Sequence, residues 1–256
     1  MLLTIDAGNS EIKLGCFDPV GTLTNTWRVS TDVRRTPDEY VASFRQLFAQ
    51  AGVDANGVAG AAIASVVPKL DPVLEEACRS AFGVAPRFLH PQTQTVIPVA
   101  TEHPAQSGAD LIAAAIGGRA RFGAPLVIVS YGTATVFVAV TREGAYAGVA
   151  IAPGIAISID ALVSRTAKLP QVALESPKAA IGRNTEEALQ SGIVYGFAGQ
   201  TDAIVSRMRE ELGGDARVVA TGGMAETFGR HTETIDEVDP HLSLRGLQIF
   251  HASLED

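Results

Sequence analysis

Three short glycine-bearing segments and one aspartate carry the residue types that phosphate transfer needs. The first segment, Asp6-Ala7-Gly8-Asn9-Ser10 with Lys13 three residues on, falls between two strand-like stretches, Leu2 to Ile5 and Ile12 to Cys16. A glycine without a Cβ lets an anionic oxygen approach the backbone, Asn9 and Ser10 present small polar groups, and Asp6 can hold a metal-bound water. These residue types are also the commonest formers of a plain hairpin turn, so both readings stand. The second segment, Gly132-Thr133-Ala134-Thr135, occupies the corresponding place in the second half of the chain. The third, Ala220-Thr221-Gly222-Gly223-Met224, closes a late strand, a setting in which glycine turns are common. Asp110 supplies a carboxylate able to take a proton from an attacking hydroxyl. It is equally the last residue of Ser107-Gly108-Ala109-Asp110, a capping box for a helix over Leu111 to Ile116.

The surrounding pattern predicts the elements that hold these segments. Leu2 to Ile5, Ile12 to Cys16 and Leu23 to Val29 alternate with the turns Asp6 to Ser10 and Asp18-Pro19-Val20-Gly21, which predicts an antiparallel meander. Thr36-Pro37-Asp38-Glu39 starts a helix with a capping box and an early proline, and Tyr40, Val41, Phe44, Leu47, Phe48 and Ala51 follow at helical spacing. Ala61 to Val67 reads as a buried strand, and Asp71-Pro72 as the cap of a second helix ending at Gly83. The second half repeats the theme with strands at Leu126 to Val129, Thr135 to Val140 and Ala145 to Ile151. Helices are expected from Ile155 to about Leu212, then a strand over Arg217 to Ala220, and Leu247 to His251 as a last strand or the end of a tail. Two halves opening alike suggest duplication, with a boundary near Leu111 to Gly118.

Bulk properties narrow the partners. The chain has 256 residues, 46% of them hydrophobic, enough for one large core or two small ones. A formal charge of -8 without a Lys/Arg block argues against a nucleic-acid surface and favours a small-molecule partner. Cys16 and Cys78 form no CxxC or Cys/His cluster, as expected of free structural thiols in a reducing compartment. The N-terminus lacks a secretory pattern, and the most apolar window, Ala124 to Val140, is too polar and too short for a membrane span, so a cytoplasmic location is expected. His90, His103, His231, His241 and His251 show no metal-ligand spacing, Trp27 is expected to pack in a core, and the Leu254-Glu255-Asp256 tail to be solvated.

Many segments together resemble the type III pantothenate kinase family over nearly the whole chain. They are the opening Asp6 to Ser10, Ala64-Ser65-Val66-Val67-Pro68, Gly108-Ala109-Asp110, Gly132 to Thr135, Ala150-Ile151-Ala152-Pro153-Gly154-Ile155, Ala167-Lys168-Leu169-Pro170, Ile181-Gly182-Arg183-Asn184-Thr185 and Gln190-Ser191-Gly192-Ile193. The resemblance implies an α/β fold of duplicated ribonuclease H-like (actin-like ATPase) domains with a nucleotide cleft between them. The domains would be residues 1–112 and 113–256, the second carrying most of a homodimer interface. It implies ATP-dependent phosphorylation of the primary hydroxyl of pantothenate, the opening step of coenzyme A synthesis. Carried over residue by residue, it puts ATP on Asp6, Gly8, Asn9, Ser10, Lys13, Thr133 and Gly222, with magnesium held by Asp6 through water. It makes Asp110 the catalytic base and gives the substrate Gly108, Ala109 and Thr185.

The chain departs from the family pattern at positions where ligands are expected. Leu111 stands where the family has Arg after Gly-Ala-Asp, Ala114 where it has Asn, and Ser130 where an Asp helps bind a monovalent cation. Val136 and Val138 replace polar residues, and Gly148-Val149 replaces Gly-Gly. A lost charge-assisted contact typically costs about 1.5 to 3 kcal/mol. Two readings follow: a kinase with altered substrate contacts and a weakened or absent cation site, or an impaired paralogue acting as a regulatory subunit in a heteromer with a second family member.

Overall fold

The computed structural model describes residues 1–166, 170 and 172–254, so Ala167, Lys168 and Leu169 of the Ala167–Pro170 step and the terminal Glu255 and Asp256 lie outside the described residues. In chain order the regular elements are β1 (Leu2–Ala7), β2 (Glu11–Phe17), β3 (Leu23–Ser30), α1 (Pro37–Gln50), β4 (Gly60–Ser65), α2 (Asp71–Phe82), β5 (Arg87–Phe88) and α3 (Ala109–Phe122). They continue as β6 (Leu126–Tyr131), β7 (Ala134–Val140), β8 (Tyr146–Pro153), α4 (Ile155–Ser164), α5 (Thr185–Glu211), β9 (Arg217–Thr221), α6 (Ala225–Gly229), β10 (Glu237–Val238) and α7 (Leu242–Ala252).

These elements form two compact units, one of Met1–Arg121 with Leu242–Asp256 and one of Phe122–His241. A division at 112/113 would cut α3, a continuous helix of 14 residues, and the units part instead at its last turn. The C-terminal stretch belongs to the first unit, where residues 113–256 were expected to stay together.

The duplication that the sequence only suggested is explicit in the topology. The first sheet runs β3-β2-β1-β4-β5, with β1 antiparallel to β2, β2 antiparallel to β3, and β4 parallel to both β1 and β5. The second runs β8-β7-β6-β9-β10 with the same sequence of antiparallel and parallel pairings. In the first unit the meander is central at β1, whose Leu3, Ile5 and Ala7 join Phe44, Phe48, Leu74 and Phe82 in one core. The alternating apolar residues of α1 face that core, and Trp27 of β3 stacks on Phe48 at 4.9 Å between ring centroids. Thr36 and Glu39 make the reciprocal bonds of a capping box, with the Glu39 Oε2 accepting from the Thr36 N–H at 2.7 Å. In the second unit Val127, Val129, Phe137, Val194, Val218 and Phe228 form a separate core. Cys16 and Cys78 are free and buried.

Three local expectations change. Asp71 is the first residue of α2 rather than its cap: Leu70 holds the cap position and no side chain bonds the helix start. The helix carrying Asp110 begins at Ala109, and Asp110 Oδ1 accepts from the Leu111 N–H at 2.9 Å. The Ser107 capping box does not form: the Ser107 N–H donates to the Pro104 carbonyl at 3.1 Å, and the Asp110 carboxylate accepts from the Leu111 N–H instead. The C-terminus is helical: Ser243, Gly246, Leu247 and Phe250 are buried at helical spacing, which neither a strand nor a tail would produce. α7 crosses α3 at glycines on both sides, since a β-carbon on Gly246 would overlap the Ala113 carbonyl and one on Gly117 the Leu242 carbonyl.

Candidate active site

The first unit assembles its polar residues at the end of β1. Asp6 and Lys13 are direct cross-strand partners in the antiparallel β1–β2 pairing, because the single turn over residues 8–10 brings position 6 opposite 13. Lys13 Nζ lies 3.7 Å from Asp6 Oδ2, and the Lys13 side chain keeps 23% of its exposure while that of Asp6 keeps 8%. The turn between the strands is tied from three sides. The Gly8 N–H donates to the Glu11 carbonyl at 3.0 Å, the Thr31 hydroxyl donates to the Gly8 carbonyl at 2.6 Å, and the Thr31 N–H donates to the Ser10 carbonyl at 3.1 Å. Asn9 and Ser10 are exposed at its tip. The bend is therefore a held loop with its small polar residues facing solvent.

Asp110 sits close enough to this pair to be governed by it. Burial raises its carboxyl above the ordinary carboxylate range and the negative charge of Asp6 raises it further, while the Leu111 N–H and the positive Lys13 oppose the shift. Such a carboxylate holds a proton more readily than a free one, which suits it to accept one from a hydroxyl. Gly108 gives it room: a β-carbon there would stand 2.5 Å from Asp110 Oδ1. A cavity of about 200 Å³ beside Gly108 and Ala109 is lined also by Ser65, Val66, His90 and Ser107.

The second unit brings its own glycine bends together. Gly222, with φ of +96°, lies so close to the Tyr131 backbone that any side chain would collide with it. Gly154, the cap of α4, presses on the Thr133 carbonyl in the same way. The exposed Gly132 and Thr133 are thus seated between the end of β9 and the start of α4. Beneath them the Tyr131 hydroxyl and Thr201 Oγ1 share a buried hydrogen bond of 2.9 Å. Thr185 is exposed at the first position of α5, behind the Asn184 cap whose side chain accepts from the Glu187 N–H at 2.9 Å.

The expected residues thus fall into two groups: Asp6, Gly8, Asn9, Ser10, Lys13, Gly108, Ala109 and Asp110 in the first unit, and Thr133, Thr185 and Gly222 in the second. Positions that sequence reasoning missed are Thr31, Gly154 as a seat for the second loop, and Ser243. Ser243 Oγ donates to Asp6 Oδ2 at 2.6 Å from a helix at the other end of the chain. No local pattern marks it, since its partner is 237 residues away. Of the departures from family pattern, Ala114 and Val138 are buried, Leu111, Ser130 and Val136 are partly buried, and Val149 is exposed.

Known proteins resemble this chain along nearly its whole length. The sequence profile of the type III pantothenate kinase family matches residues 2–207. The type III pantothenate kinase of Moorella thermoacetica is 45% identical over 251 residues, covering 98% of both chains. Among solved structures, a putative Baf family transcriptional activator from Campylobacter jejuni superposes with a TM-score of 0.60 at 18% identity over 99% of this chain and 98% of its own. The activator of 2-hydroxyisocaproyl-CoA dehydratase from Clostridium difficile, solved with ADPNP bound, gives 0.57 at 11% identity over 99% and 96%. These two likenesses establish the actin-like fold, and the identity and coverage of the first comparisons establish more: this chain belongs to the type III pantothenate kinase family.

Proposed function

We propose that the chain transfers the γ-phosphoryl group of ATP to the primary hydroxyl of pantothenate, the entry step of coenzyme A synthesis. The observation that carries this reading is the Asp110 carboxylate, raised in proton affinity and set beside Asp6 and Lys13. In this assignment Asp110 takes the proton of the attacking hydroxyl, and Gly108, Ala109 and Thr185 hold the acceptor. Gly8, Asn9, Ser10, Lys13 and Thr133 grip the phosphates and Gly222 approaches the nucleoside, so that positioning and charge neutralisation supply most of the barrier reduction.

Magnesium fits the residues present. Both protein partners of Asp6 address Oδ2, which leaves Oδ1 without a hydrogen bond from the described residues. One carboxylate and the nucleotide's phosphates are the donor set magnesium usually takes, because it retains most of its waters. When bound, it neutralises charge building on the phosphate oxygens. At Ser130 a neutral hydroxyl replaces a carboxylate, so a monovalent cation is held weakly or not at all.

The second unit is also the surface we assign to dimerisation. Ile151 on the edge strand β8 is 69% exposed and Ile181 before α5 is 83% exposed, with Ile157, Leu162 and Tyr195 also exposed. Gly192, Gly196 and Gly199 of α5 face open space, a small-residue strip on which a second helix can lie closely. Two buried thiols and the absence, among the described residues, of any helix long and apolar enough to cross a membrane accord with work in the cytoplasm.

The test is direct. Purified protein with ATP, magnesium and pantothenate should release ADP, and Asp110→Asn should abolish the release. No ADP above background retires the assignment, and activity that appears only on mixing with a second family member makes the chain half of a heteromer.

A further inference from the structure

We infer that Ser243, carried on α7, is a positioning residue for Asp6, and that α7 is the brace that fixes Asp6 and Asp110 relative to one another. The inference rests on the reading of Asp6 and Asp110 as the phosphoryl-transfer carboxylates, and it involves a segment beyond residue 207, where the family profile stops.

The geometry is specific. Asp6 is 6% exposed, and a carboxylate so buried needs close donors. Lys13 is at 3.7 Å, too far for a short hydrogen bond, while the Ser243 hydroxyl donates at 2.6 Å, the length of a charge-assisted bond. Ser243 is itself 7% exposed, so this contact forms away from bulk water. Because Ser243 and Lys13 both hold Oδ2, the carboxylate is fixed in one rotation with Oδ1 left for the metal-bound water.

The same helix also holds the other carboxylate's element. Gly246 abuts the Ala113 carbonyl and Gly117 abuts the Leu242 carbonyl, so α7 meets α3 backbone to backbone about one and two turns beyond Asp110. One rigid helix therefore contacts Asp6 through a side chain and the Asp110 helix through main chain. A slide of α7 would move both.

The test compares Ser243→Ala and Ser243→Thr with wild type in three measurements: steady-state kinetics, calorimetric binding of magnesium–ADP, and thermal unfolding. Loss of a hydrogen bond to a charged group corresponds to about a ten- to hundredfold effect. Ser243→Ala should lose that much in kcat with the KM for pantothenate unchanged, bind magnesium–ADP more weakly, and unfold within a few degrees of wild type. Ser243→Thr should recover most of the loss, because it keeps the hydroxyl. A purely structural serine predicts the opposite order, since threonine overfills a buried site that alanine fits. If Ser243→Ala keeps kcat and nucleotide affinity within twofold of an active wild type, or if Thr is the worse variant, the positioning role is overturned while the kinase assignment stands. If wild type neither turns over nor binds magnesium–ADP, both fall together.

Discussion

Gly154 rests against the Thr133 carbonyl with no space for a β-carbon, and the same β-carbon would stand 2.7 Å from the Gly132 carbonyl. Both contacts are with main chain, so the loop must move if anything larger than hydrogen occupies position 154. Gly154→Ala should therefore raise the KM for ATP by about tenfold or more while a calorimetric titration shows weaker nucleotide binding. Unchanged affinity would separate the Gly132–Thr133 loop from the nucleotide.

The elevated Asp110 carboxyl predicts a pH signature in stability as well as activity. Its folded-state proton affinity exceeds that of the unfolded chain, so wild type is most favoured below the ordinary aspartate range, near pH 4, and loses stability as pH rises through the higher folded value. Asp110→Asn removes the loss. The variant should unfold at a higher temperature than wild type at pH 7.5, with the gap closing towards pH 4, although its release of ADP falls to background. A gap that does not change with pH would mean that the carboxyl is not perturbed.

Thr31→Val tests how far the first loop depends on its anchor. The change removes the 2.6 Å bond to the Gly8 carbonyl but keeps the β-branched shape. A loss of about 1 kcal/mol in stability is expected, together with a several-fold rise in the KM for ATP and no change in the KM for pantothenate. Equal effects on both substrates would assign Thr31 to general stability alone.

Much of this arrangement was readable in the sequence because it is local. The capping box at Thr36 and Glu39, the β1–β2 turn and the Asp6–Lys13 register depend on neighbours within a few positions, and residue pattern specifies such features well. What escaped was long-range or depended on competition. Ser243 acquires its role from a strand far away in the chain, and the only local signal for α7 is Asp239-Pro240, where Asp239 Oδ1 accepts from the His241 N–H at 2.9 Å. Ser107 had the right type for a cap, but its N–H is taken by the Pro104 carbonyl and the Asp110 carboxylate by the Leu111 N–H. The boundary at 112/113 came from two halves that open alike, whereas the compact units keep α3 nearly whole and take in the returning stretch from Leu242.

Gly196 offers a test of assembly that leaves the isolated fold untouched. It faces open space on α5, so Gly196→Glu imposes no clash within the chain yet places a charge on the proposed interface. Light scattering should give dimer mass for wild type and monomer mass for the variant, with thermal unfolding of the variant becoming independent of concentration. A dimeric variant would move the interface elsewhere.

The return of residues 242–252 to the first unit also bears on the birth of the protein. Translation delivers β1 well before α7, the helix that packs on it, so the first unit cannot close until residues 242–252 have been made. The stretch from 122 to 241 is continuous and suffers no such wait. Completion thus runs against the direction of synthesis: the later-made unit can settle first, and the earlier one stays open to chaperones and proteases until α7 has emerged.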